Sequence, residues 1–84
     1  MIENPEWLTL EDAAYETHGK LMIGSRLLVD GRPAQWIGVE PIWGMVAARW
    51  TDEEGGYAVN LAYHKVLVHR DGIAKTLEHL EKTK

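Results

Sequence analysis

Apolar and polar positions change their spacing twice along the chain, and the changes divide it into a lead-in, a helix, a β region and a second helix. Residues 1–8 read as a lead-in, with Pro5 ahead of Glu6, Trp7 and Leu8. Thr9-Leu10-Glu11-Asp12 approximates a capping box, a hydroxyl followed by acidic side chains in the turn where the helix dipole favours them. Its closing residue is Asp and not Glu. Leu10, Ala13 and Ala14, extended by Tyr15 or His18, form an apolar stripe, and Gly19 is a natural C′ stop. A helix over 9–19 is too short to stand alone and has to dock on something.

From Ser25 the period is two. A short strand covers 26–30, and Asp30-Gly31 is a hairpin turn signal. Pro33 then permits an edge-like strand running to about Glu40, with Gln35, Ile37 and Val39 on one face and Trp36 on the other. Gly38 predicts a bulge or a bend, and Pro41 ends the strand. A third strand over 43–51 puts Met45 and Ala47 on one face and Val46, Ala48 and Trp50 on the other. After the acidic, glycine-rich loop 52–56, Tyr57, Val59, Leu61 and Tyr63 alternate with Ala58, Asn60 and Ala62, which predicts a strand to residue 63. A further strand covers 65–69. Asp71 caps a helix over 71–82 whose face is Ile73, Ala74, Leu77 and Leu80, with Glu78 and Lys82 in the favourable i,i+4 order.

The expected fold is therefore α+β and a single domain over 1–84: a small, strongly bent antiparallel sheet, or an SH3-like barrel, of about five strands within 25–69. A short N-terminal helix and a C-terminal amphipathic helix flank it. At 84 residues the chain buries only about 60–65% of its unfolded surface, so its core is thin. It has no cysteine, which removes disulfides, thiolate metal sites and cysteine nucleophiles together. The formal charge is −4, and residues 1–19 carry five carboxylates with no Lys or Arg. That balance disfavours nucleic acid as a partner, because cationic contacts to phosphate supply most non-specific affinity. No apolar run is long enough to span a membrane and no signal-peptide pattern opens the chain, so a membrane partner is not expected and the cytoplasm is the expected compartment.

Four tryptophans stand in a chain without phenylalanine. Filling the core is the commoner use of such side chains, each of which buries about 150–250 Å². Placing all four inside so small a domain is difficult, and exposed Trp, Tyr and Arg are the types enriched at binding hot spots. Trp36 and Trp43 flank the bend at 38–41 and are expected at the surface. The expected partner-binding residues are Trp36, Trp43, Arg49, Arg32 and Tyr57. Arg26, Arg32 and Arg49 serve either an acidic ligand or simple solvation. His18, His64, His69 and His79 show no metal-ligand spacing and read as partly exposed, so neither a metal nor another cofactor is expected. Ser25, the sole serine, lacks a nucleophile-elbow context, and Gly55-Gly56 lacks the Lys-Ser/Thr of a phosphate loop. Asp52, Glu53 and Glu54 read as solvated. No catalytic constellation emerges, so the chain is not expected to be an enzyme.

The stretch from Ile23 to His69 resembles small SH3-like barrels in rhythm: a strand, an Asp-Gly turn, two Trp-bearing strands, a Gly-rich hairpin and a closing strand. Gly56-Tyr57-Ala58-Val59, with Ala34-Gln35-Trp36 upstream, is similar to strands of the plasmid-encoded, trimethoprim-resistant dihydrofolate reductases, which are tetramers of such barrels. Lys65-Val66-Leu67-Val68-His69 stands where that family carries a Val-Gln-Ile-Tyr pore stretch, so the resemblance implies the barrel and not the activity. Residues 6–14 resemble the opening of excisionase-type helix-turn-helix proteins, but no basic second helix follows. The reading these features support is a non-catalytic protein-interaction domain, of the kind that serves as an accessory or inhibitory factor of a phage or other mobile element. Another protein is the expected partner, and homo-oligomerisation is a related reading. The alternatives are a nucleic-acid-binding regulator using Arg26, Arg32, Arg49 and Arg70, and an oligomeric small-ligand-binding protein or enzyme with a shared site.

Overall fold

Thr9 caps the first helix as its sequence predicts: its hydroxyl accepts the Asp12 N–H at 3.1 Å. The computed structural model describes residues 6–40, 42 and 44–82. The elements are β1 (Trp7–Thr9), α1 (Leu10–Glu16), β2 (Arg26–Val29), β3 (Arg32–Glu40), β4 (Met45–Trp50), β5 (Tyr57–Val59), β6 (Val66–His69) and α2 (Arg70–Lys82), with a 3₁₀ turn at Leu61–Tyr63. The protein is α+β. Its strands form one antiparallel sheet in the order β1-β6-β2-β3-β4-β5.

The turns follow from residues that tolerate positive φ. Val29 pairs with Arg32, leaving a two-residue turn with Asp30 at φ 52° and Gly31 at φ 83°, the geometry an Asp-Gly hairpin supplies. Gly38, at φ 81°, sits where the β3–β4 register shifts. Ile37 is the extra residue of that bulge, and beyond it Val39 pairs with Val46.

One face of the sheet is the core. Leu27, Val29, Ala34, Ala48, Ala58, Val66 and Val68 meet Ala13 of α1 and Ile73 of α2 there, with Leu21 and Leu61, while Leu8, Leu10, Trp36, Val46 and Trp50 pack against the cluster half-buried.

Several expectations change. Trp7 and Leu8, expected in the lead-in, form an edge strand with the capping residue Thr9, because the three pair with His69, Val68 and Leu67 near the other end of the chain. The first helix ends at Glu16, where Thr17 turns its hydroxyl back onto the Ala13 carbonyl at 2.8 Å. The alternation from Tyr57 does not continue as strand to residue 63: Asn60 adopts φ 57°, and the 3₁₀ turn follows. The strand opened by Pro33 is not at an edge: β3 lies inside the sheet between β2 and β4. The five strands expected within 25–69 are present as β2 to β6, β1 adds a sixth, and the sheet is bent but not closed into a barrel, with β1 and β5 at its two edges.

The buried face of α2 is Gly72, Ile73 and Thr76, whereas Leu77 is 41% exposed. Thr76 wins over Leu77 because its hydroxyl donates to the Gly72 carbonyl at 2.7 Å and accepts the Met22 N–H at 2.9 Å. Glu78 and Lys82 do pair, at 3.1 Å. No helix of the described residues is long and apolar enough to cross a membrane.

A polar lock ties the first hairpin to the start of β6. The Asp30 carboxylate accepts the Lys65 N–H at 2.9 Å and the His64 Nδ1–H at 2.7 Å. The His64 bond first, and then the Lys65 amide, hold the Asp30 carboxyl below its ordinary range. A carboxyl lowered by folding stabilises the fold above the ordinary carboxylate range, and that contribution disappears as pH falls through the lowered value. Asp30→Asn keeps a residue that accepts positive φ but removes the titration. It is expected to lower the urea midpoint at neutral pH and to flatten the decline in midpoint between pH 5 and pH 2. An identical slope in both proteins would exclude the lock.

Candidate functional site

The face of the sheet opposite the core carries one row of side chains crossing every strand. Leu8, Leu27, Ala34, Ala48, Ala58 and Val68 all lie in or against the core, so strand alternation turns their neighbours Trp7, Arg26, Gln35, Arg49, Tyr57 and His69 the other way. Pairing aligns them: Trp7 with His69, Arg26 with Gln35, Gln35 with Arg49, and Arg49 with Tyr57. Leu27 pairs with Val68, so continuing that register by one residue brings Arg26 opposite His69. Arg26, Arg49 and Tyr57 are exposed, and Gln35 and Trp7 are half-buried. Cross-strand neighbours of this kind lie close enough to order one another.

They do so here through ring contacts and a side-chain amide. The Arg26 guanidinium lies 5.5 Å from the centre of the Trp7 ring. Trp7 in turn meets His69 edge-on, with ring centres 4.8 Å apart and planes at 88°. Arg49 Nη2 donates to Gln35 Oε1 at 2.7 Å.

Arg32 stands apart from this row. Its Nε donates to both Asp52 carboxylate oxygens at 3.0 and 3.1 Å, its Nη2 donates to Glu53 at 3.1 Å, and its plane lies 4.1 Å from the Trp50 ring centre. Asp52 above all raises the Arg32 pKa, and Arg32 lowers that of Asp52. Asp52 and Glu53, expected as solvated loop carboxylates, are thus positioned by Arg32.

The sequence-selected residues divide accordingly. Arg49 and Tyr57 come together in the row. Arg32 is tied into the 51–56 loop, and Trp36 is half-buried against the core. Trp43 lies outside the described residues. Sequence reasoning missed Trp7, because its strand is three residues long and its partner β6 is distant in sequence, and Gln35, because its place beside Arg26 and Arg49 depends on strand register.

His69, expected to be partly exposed, is 8% exposed, covered by the contact with Trp7 and by the first turn of α2. It lines a cavity of about 340 Å³ together with Ser25, Arg26, Asp71, Gly72 and Lys75. This grouping of Ser, His and Asp does not form a nucleophilic triad. His69 Nδ1 accepts the Asp71 backbone N–H at 3.1 Å, and the Ser25 hydroxyl donates to the Met22 carbonyl at 2.7 Å. The base nitrogen and the hydroxyl proton are therefore both engaged elsewhere. Among the described residues no group of three His, Asp or Glu is placed to hold a metal ion. Comparison of the chain with protein-family models, curated proteins and solved structures finds no match.

Proposed function

We propose that this chain is a non-catalytic protein-interaction module whose contact surface is the open sheet face. The observation carrying the reading is the row Trp7–Arg26–Gln35–Arg49–Tyr57. Aromatic and guanidinium groups are the side chains that most often dominate binding energy at protein interfaces, and here they share one face and one register. Ala13 of α1 and Ile73 of α2 join the core on the other side of the sheet. The sheet supplies a rigid base, which limits the ordering cost of association.

A photo-crosslinking residue in place of Tyr57 tests this in cells of the source organism, with the same residue at Tyr63 as control. Tyr63 is 85% exposed and lies outside the row, in the 3₁₀ turn. Discrete adducts with a protein are expected from position 57 and only background from position 63. Equal patterns from the two positions would remove the open face as the contact surface.

A further inference from the structure

We infer that the partner of this face is an acidic protein segment, whose carboxylates bridge Arg26 and Arg49. The inference rests on the interaction-module reading and adds the chemistry of the partner. Its basis is a contrast among the three arginines of the sheet. Arg32 is neutralised within the chain by Asp52 and Glu53. Arg26 and Arg49 are oriented instead by the Trp7 ring and the Gln35 amide oxygen, neither of which carries charge. No described carboxylate lies within ion-pair distance of either guanidinium. Each is therefore an oriented cation with no ion pair among the described residues, in a chain that has an excess of carboxylates.

A guanidinium so placed binds a carboxylate through charge-assisted, bidentate hydrogen bonds without first giving up an internal ion pair. Arg26 and Arg49 sit on β2 and β4, separated by Gln35 on β3. Two inter-strand steps put their backbones about 10 Å apart. Carboxylates three residues apart on a polyproline II segment, which returns to the same side every three residues at about 3.1 Å per residue, match that span. Trp7 and Tyr57 at the ends of the row supply apolar contact to the same segment.

A nucleic acid would also present anions, but the surroundings disfavour a long polyanion. Arg49 lines a groove with Asp52, Glu53 and Glu54, and Glu6 and Asp71 flank His69 near the other end. Two cations between carboxylate clusters suit a short acidic segment better than a continuous phosphate backbone.

The test follows the side-chain Nε–Hε resonances of Arg26 and Arg49 in the full chain during titration with hexaglutamate, hexalysine and an oligothymidylate. Hexaglutamate is expected to shift both resonances and hexalysine neither. Arg26→Gln and Arg49→Gln are each expected to weaken hexaglutamate binding about tenfold with unchanged thermal unfolding. No shift at millimolar hexaglutamate would overturn the inference. So would tighter binding of the oligothymidylate, which would assign the face to nucleic acid. The doubly substituted chain, carrying the crosslinker at position 57, separates the two readings. Adducts that persist undiminished would sink the acidic partner and leave the contact surface standing, whereas their absence from the otherwise unaltered chain would sink the surface itself.

Discussion

Leu27→Ala is expected to destabilise the protein by about 2–5 kcal/mol, the range for truncating a fully buried leucine. A chain of 84 residues has about 4–13 kcal/mol in total, so one side chain removes a large share of it. Leu27 is 0% exposed and sits on the central part of the sheet, paired with Ala34 on one side and Val68 on the other. The upper half of the range is expected because the site collapses poorly. Ala34 and Ala48 are already small, and the rigid sheet cannot close the cavity by moving one strand alone. Urea unfolding followed by far-ultraviolet circular dichroism gives the value. Leu77→Ala is the matched control: at 41% exposure it should change stability by no more than about 0.5–1 kcal/mol. A larger loss at Leu77 than at Leu27 would reverse the assignment of the α2 face and of the core together.

That control also marks the boundary of what the chain's pattern reveals. The features that depend on neighbours in sequence were legible: the Thr9 cap, the Asp30-Gly31 turn and the Gly38 bulge each express a conformational preference within a few residues. The face of α2 was not, because hydrophobicity ranks Leu77 above Thr76. What decides is the pair of hydrogen bonds Thr76 makes to Gly72 and Met22, the second from a segment 54 residues away. Likewise the alternation over 57–63 is intact in the sequence, and the left-handed Asn60 interrupts it. β1 is too short to announce itself and exists because β6 offers it an edge.

The candidate site divides along the same line. Alternation alone puts Gln35 on one face of its strand and Arg49 on one face of the next. Joining them to Trp7 and Tyr57 requires the order of six strands and their registers, which no local signal carries. Arg32 and Arg49 look equivalent as letters. They differ because the 51–56 loop folds back to place Asp52 and Glu53 against Arg32. Which arginine of the sheet is ion-paired among the described residues is thus a tertiary property.

Gly72→Ala is expected to be destabilising although it sits in a helix, where alanine is ordinarily better than glycine by about 0.5–1 kcal/mol. A Cβ at Gly72 would stand 2.7 Å from Ser25 Cβ, 2.8 Å from its Oγ and 3.3 Å from its Cα. The first two distances are far inside van der Waals contact, and Cβ and Cα belong to a position held by the backbone, so no flexible side-chain end can swing away. Overpacking of this kind costs about 1–3 kcal/mol, which set against the gain in helix propensity leaves a net loss of up to about 2.5 kcal/mol. The remedy is specific. Ser25→Gly deletes both closest atoms, at the expense of the hydroxyl bond to the Met22 carbonyl. Combined with Gly72→Ala it should therefore be less destabilising than the two single changes added together, by about 1 kcal/mol or more. Strict additivity would mean that α2 does not rest on Ser25. The contact matters beyond stability because Ser25 immediately precedes Arg26, and Gly72 lines the same cavity as Arg26 and His69. Pushing α2 away from β2 should displace the end of the cationic row, so Gly72→Ala is also expected to shift the Arg26 Nε–Hε resonance while leaving that of Arg49, two strands away, in place.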